Sequence, residues 1–160
     1  MRERLLALLE QDSTLTPHQL ALMLNCTTEE IEETVKQLEE ERIILGYKAV
    51  VDWQKTPQED VTALIELKVC PQRGRGFDEV AERIYNYPEV QSLYLMSGGF
   101  DLCVQIEGKT MKEVALFVAE KLAPMEAVLS TATHFVLRTY KERGTIYVEE
   151  PKDERRMMEI

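Results

Sequence analysis

The chain has 160 residues, 44% of them hydrophobic, and a formal net charge of −10. That length holds one ordinary domain or two small ones, and that hydrophobic content excludes wholesale disorder. The negative charge disfavours nonspecific attraction to nucleic acid or to an anionic membrane surface.

Helical spacing dominates the N-terminal part. In "RERLLALLEQ", Leu5, Leu6 and Leu9 share one stripe. "TPHQLALMLN" opens with Thr16 and Gln19 at capping-box spacing, and Pro17 falls at the first helical position. Leu20 and Leu24 lie one turn apart. After the short linker "NCT", Thr27 and Glu30 repeat the capping box, and Ile31, Val35 and Leu38 predict an inward face. Thr28, Glu29, Glu32, Glu33 and Lys36 then face mostly outward. Two helices joined by a tight turn form the helix-turn-helix pattern, although the spacing alone fits a generic three-helix bundle equally well. Gly46 is placed to end the helices, "YKAVVDW" has strand-like content, and "QKTPQED" reads as a linker with the domain boundary near 54–60.

The second part alternates between strand and helix patterns. "VTALIELKV" (61–69) reads as a strand, "RGRGF" as a turn and "FDEVAERIYNY" as a helix with Phe77, Val80, Ala81 and Ile84 on one side. "PEVQSLYLMS" and "DLCVQIEG" read as strands joined by the "GGF" turn. Thr110 and Glu113 predict a third capping box, opening "TMKEVALFVAEKLAP", and "AVLSTATHFVLRTY" is the last strand. The order is βαββαβ, a ferredoxin-like arrangement, which hosts many functions and names none. The expected class is α+β. It comprises a (winged) three-helix helix-turn-helix domain over 1–46, a linking strand and linker over 47–60, a ferredoxin-like domain over 61–143, and a charged tail over 144–160. Within that tail "TIYVEE" is a candidate edge strand and "PKDERR" reads as solvated.

Other chemistries find little support. Cys26, Cys70 and Cys103 are far apart and odd in number, which suggests a reducing compartment rather than a disulfide framework. No CxxC or His/Cys cluster points to a metal. His18 and His134 form no catalytic set with a nearby Ser or Cys, so no enzyme activity and no cofactor are expected. The N-terminus is a poor signal peptide and no apolar run approaches the roughly 20 residues of a membrane span. A cytoplasmic protein without membrane partners is the expectation.

Four stretches taken in order resemble the Lrp/AsnC family, the feast/famine regulators, across roughly 2–140. They are "LTPHQLALMLNCT", "VKQLEEERIILGYKAVVD", "SGGFDLCVQI" with its Gly-x-x-Asp turn, and "VLSTATHFVL" with its threonine-bearing strand. The resemblance implies an N-terminal unit that binds double-stranded DNA and a C-terminal unit that binds a small effector, usually an amino acid. It also implies dimers built by pairing sheets, often assembled into octamers, with effectors bound between dimers. The implied effector residues are Gly98, Gly99, Asp101, Thr131 and Thr133. Glycine leaves backbone N–H groups free to hold a carboxylate, and Asp101 can pair with an ammonium group. On residue types alone, an ordinary hairpin turn and ordinary strand threonines fit as well.

One departure from the family is the charge of the third helix. Seven glutamates and one lysine lie between Thr27 and Glu41, and over 1–46 four cations stand against ten acids, a net of −6. The family often has an arginine where this chain has Thr34. DNA affinity comes largely from Lys and Arg displacing counterions, so these glutamates oppose it. A glutamate can instead accept from cytosine N4. The candidate DNA contacts are Arg2, Arg4, His18, Gln19, Thr27, Thr28, Glu29, Glu32, Glu33, Lys36 and Lys48. The other reading is a ligand-sensing or protein-binding assembly whose helix-turn-helix binds DNA weakly or not at all.

Overall fold

The computed structural model describes residues 1–58, 60–70 and 76–148. The chain divides into two compact units, Met1–Val51 and Asp52–Ile160.

The first unit holds α1 (Arg2–Gln11), α2 (Pro17–Leu24) and α3 (Thr28–Glu40). Both predicted capping boxes form. The Gln19 amide donates to Thr16 Oγ1 at 3.3 Å while the Thr16 amide donates to Gln19 Oε1 at 2.8 Å. At α3 the Glu30 amide donates to Thr27 Oγ1 at 3.2 Å and the Thr27 amide to Glu30 Oε2 at 2.9 Å. Each box satisfies two amides that the helix start would leave unpaired. Asn25 sits in the left-handed region (φ 56°) and closes α2, with its amide bonded to Ala21 O. Asparagine tolerates that conformation, and it allows the chain to reverse within three residues and start α3. Leu5, Leu20, Ala21, Ile31 and Leu38 form the core, with Leu6, Leu9, Leu24 and Val35 packed against them.

Two expectations for this segment fail. The helix ends earlier than Gly46: Arg42 takes the left-handed conformation (φ 57°), and the Ile43 and Ile44 amides both return to Leu38 O. Residues 47–52, read as a linking strand, form no ladder and provide no wing. A strand exists through hydrogen bonds to a neighbour, and strand-like residue types alone do not supply one. Thr34, which stands where the family often has an arginine, is buried, and its hydroxyl donates to Glu30 O at 2.6 Å. That bond to the preceding turn satisfies the hydroxyl inside the helix.

The second unit is a four-stranded sheet with two helices on one face. Its elements are β1 (Val61–Val69), α4 (Asp78–Tyr85), β2 (Val90–Leu95), β3 (Leu102–Gly108), α5 (Met111–Phe117) and β4 (Val128–Phe135). The strand order is β2-β3-β1-β4, with every pair antiparallel. This is the βαββαβ arrangement expected from the chain order. Ala63, Ile65 and Leu67 of β1, and Leu102, Val104 and Ile106 of β3, are buried beneath Val80 and Ile84 of α4 and Val114 and Phe117 of α5. Burying each of the Val, Leu, Ile and Phe side chains among them stabilises the fold by about 1.5–3 kcal/mol. Tyr87 meets Phe117 edge to face, with ring centroids 5.5 Å apart.

Smaller differences have local causes. The third capping box forms only in part: the Glu113 amide donates to Thr110 Oγ1, but the Glu113 carboxylate takes the Lys109 amide at 2.7 Å. After Phe117 the helix widens into a π-helical turn, Val118–Leu122. The last strand stops at Phe135, short of the predicted 140. The described part of "TIYVEE", 145–148, adds nothing to the four-stranded sheet. Instead β5 (Lys141–Glu142) and β6 (Thr145–Ile146) make their own hairpin across Arg143 (φ 45°) and Gly144 (φ 85°). Positive φ at both central residues matches the twist that tight hairpins require. Glu149 and Glu150, "PKDERR" and most of the "RGRGF" turn lie outside the described residues.

Candidate functional site

In the first unit, α3 presents Glu29, Glu32, Glu33 and Lys36 outward, with Thr28 half-buried at its start. Arg4, His18 and Lys48 are exposed as well. The cations available to phosphate are fewer than the sequence suggests. Arg2 Nη2 lies 2.6 Å from Glu41 Oε2, and Lys36 Nζ lies 3.9 Å from Glu40 Oε1. Gln19 Oε1 is taken by both the amide and the hydroxyl of Thr16, and the Thr27 hydroxyl caps its own helix. The exposed face of α3 is therefore acidic, and two of the four cations on 1–46 are paired within the unit. Those surface pairs are worth little to stability, about 0–1 kcal/mol each, so DNA phosphate can compete for them.

In the second unit, the turn between β2 and β3 carries Gly98, Gly99 and Asp101. Its base is tied three times. The Met96 amide donates to Asp101 O at 2.8 Å, the Asp101 amide to Leu67 O at 2.9 Å, and the Val69 amide to Asp101 Oδ2 at 2.7 Å. Gly98 has a φ of 156°. A methyl group at Gly99 would meet no atom within 4 Å, and its φ is not in the glycine-favouring range. Among the described residues nothing demands glycine at 99, and the space beside it is open.

Thr131 and Thr133 are half-buried on β4, opposite Leu67 and Ile65 of β1. Cross-strand partners share a face, so both threonines point to the helix-covered side. Strand β1 separates them from the turn, a spacing of about 10 Å by strand geometry. Neither the cavity of about 540 Å³ nor that of about 490 Å³ in this unit is lined by any of these five residues.

Among the described residues no helix of this unit covers the other face of the sheet. Leu64, Glu66 and Lys68 of β1 alternate onto it with Cys103 and Gln105 of β3, Tyr94 of β2 and His134 of β4. His134 Nε2 lies 3.3 Å from Glu66 Oε1. The Cys103 thiol is pushed above its ordinary pKa, first by burial and then by the Glu66 charge. That direction makes it a poor nucleophile. Among the described residues no group of three or more His, Cys, Asp or Glu is placed to hold a metal ion, and no helix is long and apolar enough to cross a membrane.

The 540 Å³ cleft was not legible from the sequence. It joins Asp52 and Trp53, the far end of β3 and the hairpin β5–β6, and brings Asp60, Glu107 and Glu142 together from three separate segments. The Glu107 carboxyl is raised above the usual range, first by burial and then by the charges of Asp60 and Glu142. A raised carboxylate pKa favours the fold at acid pH and costs stability as pH rises through it. Glu107→Gln is therefore expected to raise the urea midpoint slightly at pH 7.5, with the gain disappearing near pH 4. A gain of equal size at both pH values would contradict the electrostatic cause.

The profile of the Lrp/AsnC ligand binding domain matches residues 62–146. An HTH-type transcriptional regulator of Bacillus subtilis, YugG, is 44% identical over 152 residues, covering 94% of this chain and 92% of that protein. The solved structure of Escherichia coli AsnC superposes with a TM-score of 0.70 at 18% identity, covering 92% of this chain and 96% of the other. A Neisseria meningitidis transcriptional regulator, solved as its L-Met complex, superposes with a TM-score of 0.71 at 22% identity, covering 88% and 90%.

Proposed function

The chain belongs to the Lrp/AsnC family of HTH-type transcriptional regulators, and from that premise we propose that it is a sequence-specific DNA-binding regulator answering to a small effector, an amino acid, held between dimers. The observation that carries this reading is the presence, on one chain, of a capped helix-turn-helix and the matched ligand-binding domain.

On this reading the helix-free sheet face pairs with that of a second copy, as the family resemblance implies. Leu64 and Tyr94 are exposed on that face in the single chain. Dimers then assemble into a higher oligomer such as an octamer, and many weak half-sites joined in one particle compensate for a weakly attractive helix. Phosphate contacts fall to Arg4, His18 and Lys48, and to Arg2 and Lys36 once DNA displaces Glu41 and Glu40. Glu29, Glu32 and Glu33 lie on the face turned to DNA and weaken its attraction to phosphate. The effector lies against the turn at Gly98 and Gly99, and the face beyond is completed by another dimer, with Thr131 and Thr133 as further contacts. The cell's cytoplasm is the compartment this role requires.

A second reading is favoured by one observation, the pairing of Arg2 and Lys36 with acids on a mostly acidic face. It is a ligand-sensing or protein-binding assembly with little DNA affinity.

One set of measurements separates the two. Light scattering at micromolar concentration is expected to show a dimer or larger particle. Thermal shift against the twenty protein L-amino acids is expected to show one or a few that stabilise it. Binding to genomic DNA fragments from its own cell should weaken steeply with salt. A monomer, or a protein that no amino acid stabilises, removes the effector assembly. Absence of DNA binding at 50 mM salt leaves only the second reading.

A further inference from the structure

The Gly-x-x-Asp turn ends in a carboxylate that the fold already uses. Strand β1 runs past the start of β3: the last ladder pair is Leu67 with Leu102, yet β1 continues to Val69. The Val69 amide has no β3 residue to donate to at that level. Asp101 supplies the missing acceptor with its side chain, at 2.7 Å, while its own amide bonds Leu67 O at 2.9 Å. Its carbonyl receives the Met96 amide and closes the turn. A single residue thus extends the ladder by one rung and fixes both the base of the turn and the end of β1. On β1's other side the pairing with β4 shifts register between Lys68 and Val69, so the ladder there is irregular at the same level. A side-chain acceptor is the device that keeps this strand end from fraying.

From this geometry we infer that Asp101 is a positioning residue: its carboxylate aims the Gly98–Gly99 backbone at the effector and does not itself pair with the effector's ammonium group. The inference rests on the reading of this turn as the effector contact. Its chemical content is that an acceptor oxygen is needed at 101 and a negative charge is not. The two requirements come apart in asparagine, which keeps an acceptor oxygen of similar reach and carries no charge.

The test compares Asp101→Asn with Asp101→Ala, using the amino acid that gives the largest thermal shift with the unaltered protein. A positioning role predicts that Asn keeps the affinity within about twofold, and that Ala weakens it by about tenfold or more. Amide exchange at Val69 is read in the same proteins without any amino acid present. It should stay near the original rate with Asn and rise about tenfold or more with Ala, because only Ala leaves the amide without a partner. A direct ion pair predicts something different: Asn should lose affinity ten- to hundredfold while Val69 stays protected. That result would overturn the inference, as would Val69 exchange that is equally fast in both variants. If no amino acid binds the unaltered protein, the effector reading falls. The Val69 exchange still decides whether Asp101 holds the strand end through its oxygen.

Discussion

Replacing Glu29, Glu32 and Glu33 together with glutamine is expected to tighten DNA binding about tenfold at low salt. Unit charges roughly 10 Å apart in water interact by about 0.4 kcal/mol, so three repulsive ones amount to about 1.2 kcal/mol, near a factor of ten. All three side chains are exposed on α3, and the nearby Lys36 ammonium lies against Glu40. Glutamine keeps the length and nearly the helix propensity, so the fold is not at issue. The gain should shrink as salt rises, since the Debye length is about 8 Å at physiological ionic strength. Titration on specific and random duplexes at two salt concentrations separates the outcomes. Tightening on both duplexes marks simple repulsion. Weaker binding to the specific duplex alone marks a glutamate that reads cytosine. No change at either salt would end the idea that α3 faces DNA.

Leu38→Ala should have the largest effect on stability, roughly 2–5 kcal/mol, the range for emptying a packed leucine site. Leu38 is wholly buried and packs with Leu5, Leu20, Ala21 and Ile31, the only fully formed core of the Met1–Val51 unit among the described residues. A unit of this size buries a smaller share of its surface than a large domain does and has little stability in reserve. The variant should lose the helical signal of this unit roughly 10–30 °C earlier on heating. DNA binding should go with it, while the ligand-binding unit, whose core contains none of these residues, keeps its amino-acid response. A midpoint within about 2 °C of the original would show that the site collapses around the smaller side chain.

Local features were readable wherever the physics was local. A capping box needs only two residues three apart, so Thr16 with Gln19 and Thr27 with Glu30 declared the starts of α2 and α3. Apolar alternation over 61–69 marked β1 to its ends, because a sheet buried on one face requires that period. The acidity of α3 was equally plain. The pairing of Arg2 with Glu41 was not, since 39 positions separate them and only the folded bundle brings α1 beside the end of α3.

The same boundary between local and global signals runs through the whole chain. By itself the sequence determined the three helices, the βαββαβ order, the glycine turn and, through four ordered stretches, the family. Each depends on neighbours within a few residues or on the order of elements. The tertiary structure decided what those elements do with their groups. Residues 47–52 have strand composition but no strand neighbour among the described residues, so they form no ladder within this chain. Thr34 is polar yet buried, because the helix turn before it offers Glu30 O as acceptor. Asp101 carries a charge at the end of a turn, and the end of β1 outruns β3 and takes one of its oxygens, Oδ2. Hydrogen-bond partners across strands are set by register, and register follows from the packing of the whole sheet.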